Sequence, residues 1–80
     1  MNQYEFIHQG GYHIKRRFVF GMGTMWDAIR KGKIEYTSYS PAEAAACAAE
    51  QLTRESGAFP EAAWFAAQGI VFEHKHSWLG

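Results

Sequence analysis

The chain has few of the residues that cross-link small proteins and no long apolar run. It contains one cysteine, Cys47, in 80 residues. A single cysteine excludes an internal disulfide and a zinc site built from several thiolates of one chain. The longest apolar run, residues 44–49, is far shorter than the roughly 20 residues that span a bilayer. These absences predict a soluble protein, and we expect it in the cytoplasm.

Residues that carry catalysis are also scarce. The chain has one aspartate, Asp27, and each of its four serines suits a turn, a strand or a helix cap. Cys47 lies among alanines, a setting typical of a small packed residue rather than a nucleophile. Gly21 and Gly23 lack the further glycine, or the Lys-Ser/Thr pair, of nucleotide-binding loops. We therefore expect no enzymatic activity and no cofactor.

Two histidines near the C-terminus are the best metal candidates. His74 and His76 would point to the same side of a strand, where two imidazoles could chelate an ion. A zinc site needs one or two further ligands, and His8 or His13 could supply one of them. A polar strand end is the favoured interpretation, so the sequence predicts no metal site.

The most informative segment that is present is a capped helix over residues 40–57. Ser40 and Glu43 form the S-x-x-E pattern of a capping box, and Pro41 stands at the first helical position. Gly57 can adopt the left-handed conformation that commonly ends a helix. The face expected on the sheet comprises Ala42, Ala45, Ala48, Ala49 and Leu52, whereas Glu43, Glu50 and Arg54 should remain in water.

Alternating residues predict strands on both sides of this helix. Residues 4–8 and 12–20 are expected to form a hairpin through a three-residue turn at 9–11. Residues 25–31 are read as a short helix or a wide loop, and residues 33–39 as a third strand. After Gly57, a shorter helix is expected up to Ala67, followed by a closing strand over residues 70–76.

These elements predict one α+β domain spanning residues 1–80. Its two layers would be an antiparallel sheet of about four strands and a cover of one long alanine-rich helix with one or two short helices. A chain of this length buries only about 60% of its unfolded surface, so the core must use large side chains. Thirteen aromatic residues suit that requirement, and we expect Phe18 and Phe20 in the core.

Charge is balanced overall but unevenly placed. Residues 1–40 carry six basic and three acidic side chains, and residues 41–80 carry two and five, so their net charges are +3 and −3. Two solvated faces would suffice to explain this distribution, but either end could also dock a charged partner. The candidate contact residues are Lys15, Arg17, Lys31 and Lys33 on the basic side, and Glu43, Glu50 and Glu55 on the acidic side.

Residues 15–20, KRRFVF, place basic residues beside aromatic ones on one strand. This segment resembles the basic-aromatic strand on which RNA-recognition domains stack bases, although the glycine expected after the basic residue is absent. The expected element order also differs, and zero net charge weakens general phosphate binding. Burial of Phe18 and Phe20 is the favoured interpretation.

The unit 34–45, IEYTSYSPAEAA, is a strand that leads through a capped S-P-x-E start into a helix. Residues 4–56, in their expected order, resemble two groups of small prokaryotic and phage proteins. One group is the antitoxins with a partial RNase-H-like domain, although the added DNA-binding helix pair is missing here. The other is the phage-encoded inhibitors of bacterial defence of the anti-CRISPR kind. Neither resemblance assigns a function to a particular residue.

The leading hypothesis from sequence is a non-enzymatic protein that binds and blocks a protein or nucleoprotein target. The resemblance implies a phage or mobile-element inhibitor of a CRISPR–Cas effector, whose nucleic-acid site the acidic helix face could occupy by mimicking phosphates. The alternatives are a small nucleic-acid-binding module that uses residues 15–20, an antitoxin-like partner protein, and a homodimer joined through Trp26, Trp64 or Trp78.

Overall fold

The computed structural model describes residues 1–73 as a two-layer α+β fold. Three strands form one antiparallel sheet in the order β1-β2-β3, instead of the four strands expected. Helices precede and follow the sheet in the chain. The elements are α1 (Gln3–Gln9), β1 (Tyr12–Val19), β2 (Gly23–Arg30), β3 (Lys33–Ser38), α2 (Pro41–Glu55) and α3 (Ala62–Ala67).

The first element is a helix, so the prediction of a strand over residues 4–8 is wrong. The Asn2 side chain accepts a hydrogen bond from the Glu5 N–H, and the Glu5 carboxylate accepts one from the Asn2 N–H. This capping box satisfies two free donors of the first turn. Gln3 and Ile7 lie one turn apart and are both buried. An alternating segment as short as residues 4–8 is compatible with a strand or a helix, and the Asn2–Glu5 capping box favours the helix.

Residues 25–30 belong to β2, so the short helix or loop predicted over 25–31 is also wrong. β2 pairs with β1 from Tyr12↔Arg30 to Val19↔Gly23. Gly21 and Gly23 have φ values of +85° and +89°, which let the chain reverse tightly between the two strands. These glycines therefore form the turn of the β1–β2 hairpin.

The turn from β2 to β3 uses two residues with positive φ, Lys31 at +54° and Gly32 at +74°. Such values are those of a type I′ hairpin loop, whose twist matches that of the flanking strands. The strand predicted over residues 33–39 is confirmed as Lys33–Ser38. Its pairing with β2 has an irregularity at Ala28/Ile29.

The predicted long helix is confirmed as α2. The Ser40 side chain accepts the Glu43 N–H, with Pro41 in the first turn, and Gly57 follows with φ +85°. The Glu43 carboxylate accepts a hydrogen bond from the Ser38 hydroxyl rather than from Ser40, so the expected capping box is only half formed. The alanines at 45, 48 and 49 are fully buried, as expected of the sheet-facing side.

Alanine is also buried on the flanks of α2, at Ala44 and Ala46. α1 packs beside α2, and the two approach closely. A Cβ added to Gly10 would overlap the Leu52 side chain at Cδ1. Small side chains are therefore needed on more than one side of this helix.

The C-terminal part closes the core with aromatic side chains. Phe65 of α3 is buried and packs edge-on against Phe6, Trp64 and Phe72, with ring centroids 4.9–6.2 Å apart. The predicted closing strand is reduced to one parallel bridge between Val71 and Asn2. Positions 74–76 of that prediction lie outside the described residues. Within residues 1–73, no helix has the length and apolar character needed to cross a bilayer.

Candidate functional site

The two layers of the fold differ in charge. The sheet segment, residues 12–38, carries six basic and two acidic side chains, which is a balance of +4. The other described segments, residues 1–11 and 39–73, carry one basic and six acidic side chains, which is a balance of −5. The asymmetry between the two halves of the sequence therefore becomes a difference between sheet and helices.

The strand register defines which side chains point away from the helices. Tyr12 and Ala28 belong to the same core cluster as buried helix residues, so their side of the sheet faces the helices. Alternate residues point to the opposite side. Pairing places the following residues on this side, which we call the open face: His13, Lys15, Arg17, Met25, Asp27, Ile29, Ile34 and Thr37. Met25 and Asp27 are buried at its centre, and the residues of β1 and β3 on this face are exposed.

Both acidic residues of the sheet are bonded within the molecule. Arg17 donates from Nε and Nη2 to the Asp27 carboxylate at 2.8 and 3.1 Å, and Thr37 Oγ1 donates to it at 2.8 Å. The Arg17 hydrogen bond holds the pKa of Asp27 below its usual value. Glu35 accepts from Tyr12 and Arg30, which lower its pKa in that order. The negative charges of Asp27 and Glu35 are therefore each paired with an arginine, which reduces their repulsion of an anionic ligand.

Arg30 joins the sheet to α2 and is fully engaged. Its guanidinium donates to Glu35 and Glu55 and lies 4.5 Å above the centre of the Tyr12 ring. The hydrogen bonds to Glu55 and then to Glu35 raise the pKa of Arg30. We therefore assign Arg30 to the structure of the domain rather than to a contact surface.

Four other basic residues of the sheet are exposed and form no hydrogen bond or salt bridge with another side chain of residues 1–73. They form two groups, the strand group Lys15 and Arg16, and the turn group Lys31 and Lys33. Lys15 lies on the open face, whereas Arg16, opposite Trp26, and Lys33, opposite Arg30, lie on the helix side by register. Lys15 and Lys33 are three register positions and two strand spacings apart, which corresponds to about 14 Å. The sheet thus presents two separate positive regions.

The end of the β1–β2 hairpin exposes three large apolar side chains. Phe18, Phe20 and Met22, which we call the hairpin tip, are 73%, 95% and 55% exposed. The prediction that Phe18 and Phe20 lie in the core is therefore wrong. β3 ends at Ser38, opposite Trp26, so residues 17–25 extend beyond the third strand. The hairpin tip therefore projects beyond the three-stranded part of the sheet, against which α2 packs.

The acidic candidates of α2 are tied to neighbouring side chains. Glu43 accepts from Ser38, and Glu55 accepts from Arg30 and Gln51, which together lower the pKa of Glu55 to about 2. The predicted Glu50–Arg54 pair is confirmed at 3.5 Å. The Glu50 side chain is only 13% exposed, so the expectation that it stays in water is wrong. Much of the acidic charge is therefore already engaged.

The remaining candidates from sequence do not assemble into a second site. Cys47 is half-buried, and burial raises the pKa of its thiol, as expected of a packed residue. Trp26 and Trp64 pack against the core, so neither presents the exposed ring expected at a dimer interface. Among residues 1–73, no three His, Cys, Asp or Glu side chains are grouped to hold a metal ion. His74, His76 and Trp78 lie outside the described residues.

The chain matches no protein-family model, and neither a curated protein nor a solved structure is significantly similar to it.

Sequence reasoning selected Lys15, Arg17, Lys31 and Lys33 but missed Asp27 and Thr37. The helix or loop predicted over residues 25–31 places Asp27 outside the sheet, and a carboxylate in the middle of a strand is uncommon. The available signal was alternation, because Met25, Asp27 and Ile29 are spaced two positions apart and share one face of β2. Only the register brings Thr37 and Arg17 to the same carboxylate.

Proposed function

We propose that this protein is a small nucleic-acid-binding module that places the open face of its sheet against duplex DNA. The observation that carries the proposal is the separation of charge between layers. The sheet has a balance of +4, and its exposed strand and turn groups make no salt bridge with another residue of the range 1–73. Lysine and arginine side chains without internal partners can neutralise phosphates and release their counterions, which drives binding.

The spacing of the two basic groups supports a duplex as the ligand. The Cα atoms of Lys15, on the open face, and of Lys33, at the opposite edge of the sheet, are about 14 Å apart, which is comparable to the width of the B-DNA major groove, about 12 Å. Lys33 pairs with Arg30 on the helix side, so it would reach the duplex around this edge of the sheet. Strands of a small sheet can enter this groove while basic residues on both sides contact the phosphates. The major groove of A-form RNA is too narrow for this arrangement, so the geometry favours DNA.

The positions of the aromatic residues argue against stacking of successive single-stranded bases on the sheet. Among strand residues 12–38, the open face carries no Phe, Tyr or Trp side chain, because Tyr12, Trp26 and Tyr36 point towards the helices. Stacking platforms for single strands need exposed rings along the binding path. Phe18 and Phe20 are available only at the hairpin tip, where they can contact one flank of a bound duplex.

Inhibition of a CRISPR–Cas effector remains a prediction from sequence and has less support. It relied on an acidic surface of α2 that could replace phosphates. Glu43, Glu50 and Glu55 each bond to a side chain of this molecule, to Ser38, Arg54 and Arg30, respectively. Releasing them for a partner would cost those hydrogen bonds and ion pairs. Lys15 and Lys33 form no hydrogen bond or salt bridge with another side chain of residues 1–73, so binding a phosphate breaks no such bond.

A titration with fluorescent oligonucleotides tests the proposed function. The full chain would be titrated with a 20-bp duplex DNA and with its single strand at 50–200 mM salt, and binding followed by anisotropy. We expect tighter binding of the duplex, with an affinity that falls steeply as salt rises. Single-strand binding that equals or exceeds duplex binding would contradict the proposed ligand, and no binding to either would contradict the proposed function.

Two double variants with equal charge change locate the surface. Lys15→Gln with Lys33→Gln removes two positive charges from the sheet, and it should reduce the slope of log affinity against log salt by about 2, since each phosphate contact contributes about 0.9. Gln9→Glu with Gln68→Glu makes the same change in net charge at exposed positions of α1 and of the end of α3. Equal slopes for the two double variants would remove the sheet from the proposal.

A further inference from the structure

The open face of the sheet holds one basic side chain in a fixed orientation, Arg17. Its two hydrogen bonds to Asp27 use Nε and one hydrogen of Nη2. The guanidinium has five N–H donors, so three remain. They include the edge formed by Nη1 and Nη2, which can donate two parallel hydrogen bonds. The Arg17 side chain is 45% exposed, so part of it is accessible to a ligand.

Asp27 is built into the sheet more firmly than an ordinary surface carboxylate. It is 2% exposed and lies on the central strand, opposite Lys15 on β1 and Thr37 on β3. Thr37 Oγ1 donates to Oδ1 at 2.8 Å, which fixes the carboxylate before Arg17 adds to it. A carboxylate with three hydrogen bonds has little freedom to rotate, so the arginine that forks onto it is also restricted.

The other basic residues of the sheet differ from Arg17 in this respect. Lys15, Arg16, Lys31 and Lys33 are exposed without a salt bridge among residues 1–73, and Arg30 is occupied by Glu35 and Glu55. Exposed basic side chains without such a fork suit phosphates, whose recognition carries no sequence information. A fixed fork suits a planar pair of acceptors, and guanine O6 and N7 form such a pair in the major groove.

We infer that Arg17 reads a guanine base in duplex DNA, and that Asp27 is the positioning residue that aims its free edge. This inference rests on the proposed function, since it requires the open face to enter the major groove. Lys15, which shares the open face of β1 with Arg17, contacts a phosphate, and Arg17 supplies the preference between base pairs. The ligand is thus duplex DNA with guanine at one contacted position.

Selection from a randomised 20-bp duplex pool by the full chain tests this inference. We expect wild-type protein to enrich guanine at one position. The readout is the ratio of affinities for the selected duplex and for the same duplex with that G·C pair replaced by A·T. A bidentate contact should give a ratio of about 5- to 100-fold. Arg17→Lys and Asp27→Asn should both bring this ratio close to one, since lysine lacks the fork and Asp27→Asn weakens its support.

Thr37→Val and Glu61→Gln complete the series. Thr37→Val removes one bond to Asp27 while leaving the ion pair, so the ratio should fall partway even if Asp27→Asn does not fold. Glu61 is exposed and makes no side-chain cap bond, so Glu61→Gln should keep the wild-type ratio. A ratio that stays at its wild-type value in Arg17→Lys and Thr37→Val would assign the Arg17–Asp27 pair to folding alone and overturn the inference.

Failure of the inference can be told apart from failure of the proposed function. Duplex binding without enrichment of guanine, or a loss in Arg17→Lys that is uniform across sequences, would overturn the inference and leave the DNA-binding module standing. The second outcome would assign Arg17 to a phosphate. Absence of duplex binding by the wild-type protein would overturn both.

Discussion

Individual charged side chains in this protein are held by directed hydrogen bonds between neighbouring elements. Arg30 is the clearest case, because it bonds to Glu35 on β3 and to Glu55 at the end of α2 while it covers the Tyr12 ring. Each partner is partly exposed, so solvent screens the attraction and the geometry matters more than the number of pairs. These bonds orient elements as well as neutralise charge.

Glu55 should make the stability of the protein depend on acid pH. Its folded pKa of about 2 lies below the ordinary value of 4.5, because Arg30 and then Gln51 donate to the carboxylate. The stability from these bonds is therefore fully present above pH 4.5 and is lost as pH falls towards 2. Between pH 5 and pH 2.5, Glu55→Gln should lose less stability than wild-type protein.

Urea unfolding followed by circular dichroism at several pH values measures this difference. Glu61→Gln is the matched control, since Glu61 is exposed and makes no side-chain cap bond. It should show the wild-type dependence on pH. Identical acid profiles for Glu55→Gln and wild-type protein would show that the Arg30–Glu55 bonds do not form in solution.

At the scale of elements, α2 is a helix of small residues enclosed by its neighbours. It packs against all three strands and against α1, and six of its alanines are buried. Alanine contributes little apolar surface, but it allows backbones to approach closely, as the contact between Leu52 and the position of Gly10 illustrates. The larger side chains of the core come instead from the sheet, α1 and α3, with Tyr12, Ile7 and Phe65 the largest apolar ones that are fully buried.

Enlarging a buried alanine of α2 should destabilise the domain. Ala49 is fully buried within the core cluster, so Ala49→Leu should lower the free energy of unfolding by about 1–3 kcal/mol through overpacking. Chemical unfolding at neutral pH measures the effect. Ala66→Leu makes the same change at an exposed position of α3 and should be close to neutral. A free energy of unfolding for Ala49→Leu equal to that of wild-type protein would contradict the packing described here.

At the scale of the whole molecule, the two ends of the described chain are joined. The Met1 ammonium donates to the Gly69 carbonyl at 2.9 Å, and Val71 forms a parallel bridge with Asn2. Gln3 is fully buried and bonds through both ends of its amide, donating to the Ala42 carbonyl and accepting from the Glu73 N–H. One buried amide therefore links α1, the start of α2 and the C-terminal segment.

Replacing Gln3 should weaken this closure. Gln3→Leu fills a similar volume but leaves the Glu73 N–H and one acceptor site of the Ala42 carbonyl without their partner, so it should cost about 1–3 kcal/mol of unfolding free energy. Gln9→Leu is the control, because Gln9 is exposed at the other end of the same helix. Thermal unfolding that is the same for both variants would count against the linking role of Gln3.

Local chemistry made α2 and β3 predictable. Ser40, Pro41 and Gly57 define the ends of α2 by their own backbone preferences, and alanine favours the helix between them in any context. The basic residues at 15–17, 31 and 33 were likewise visible as a surface, because charged side chains seldom become fully buried. The extent of β3 followed from alternation over Lys33–Ser38 alone.

Residues 4–8 and 25–30 required tertiary contacts, because short alternating or mixed segments suit either a helix or a strand. α1 is stabilised by its N-terminal capping box and by the burial of Ile7. β2 forms because β1 and β3 pair with its two edges. The exposure of Phe18 and Phe20 depends on where β3 ends, and the Arg17–Asp27–Thr37 cluster depends on the register of three strands. Register joins residues distant in the chain, so no local pattern encodes it.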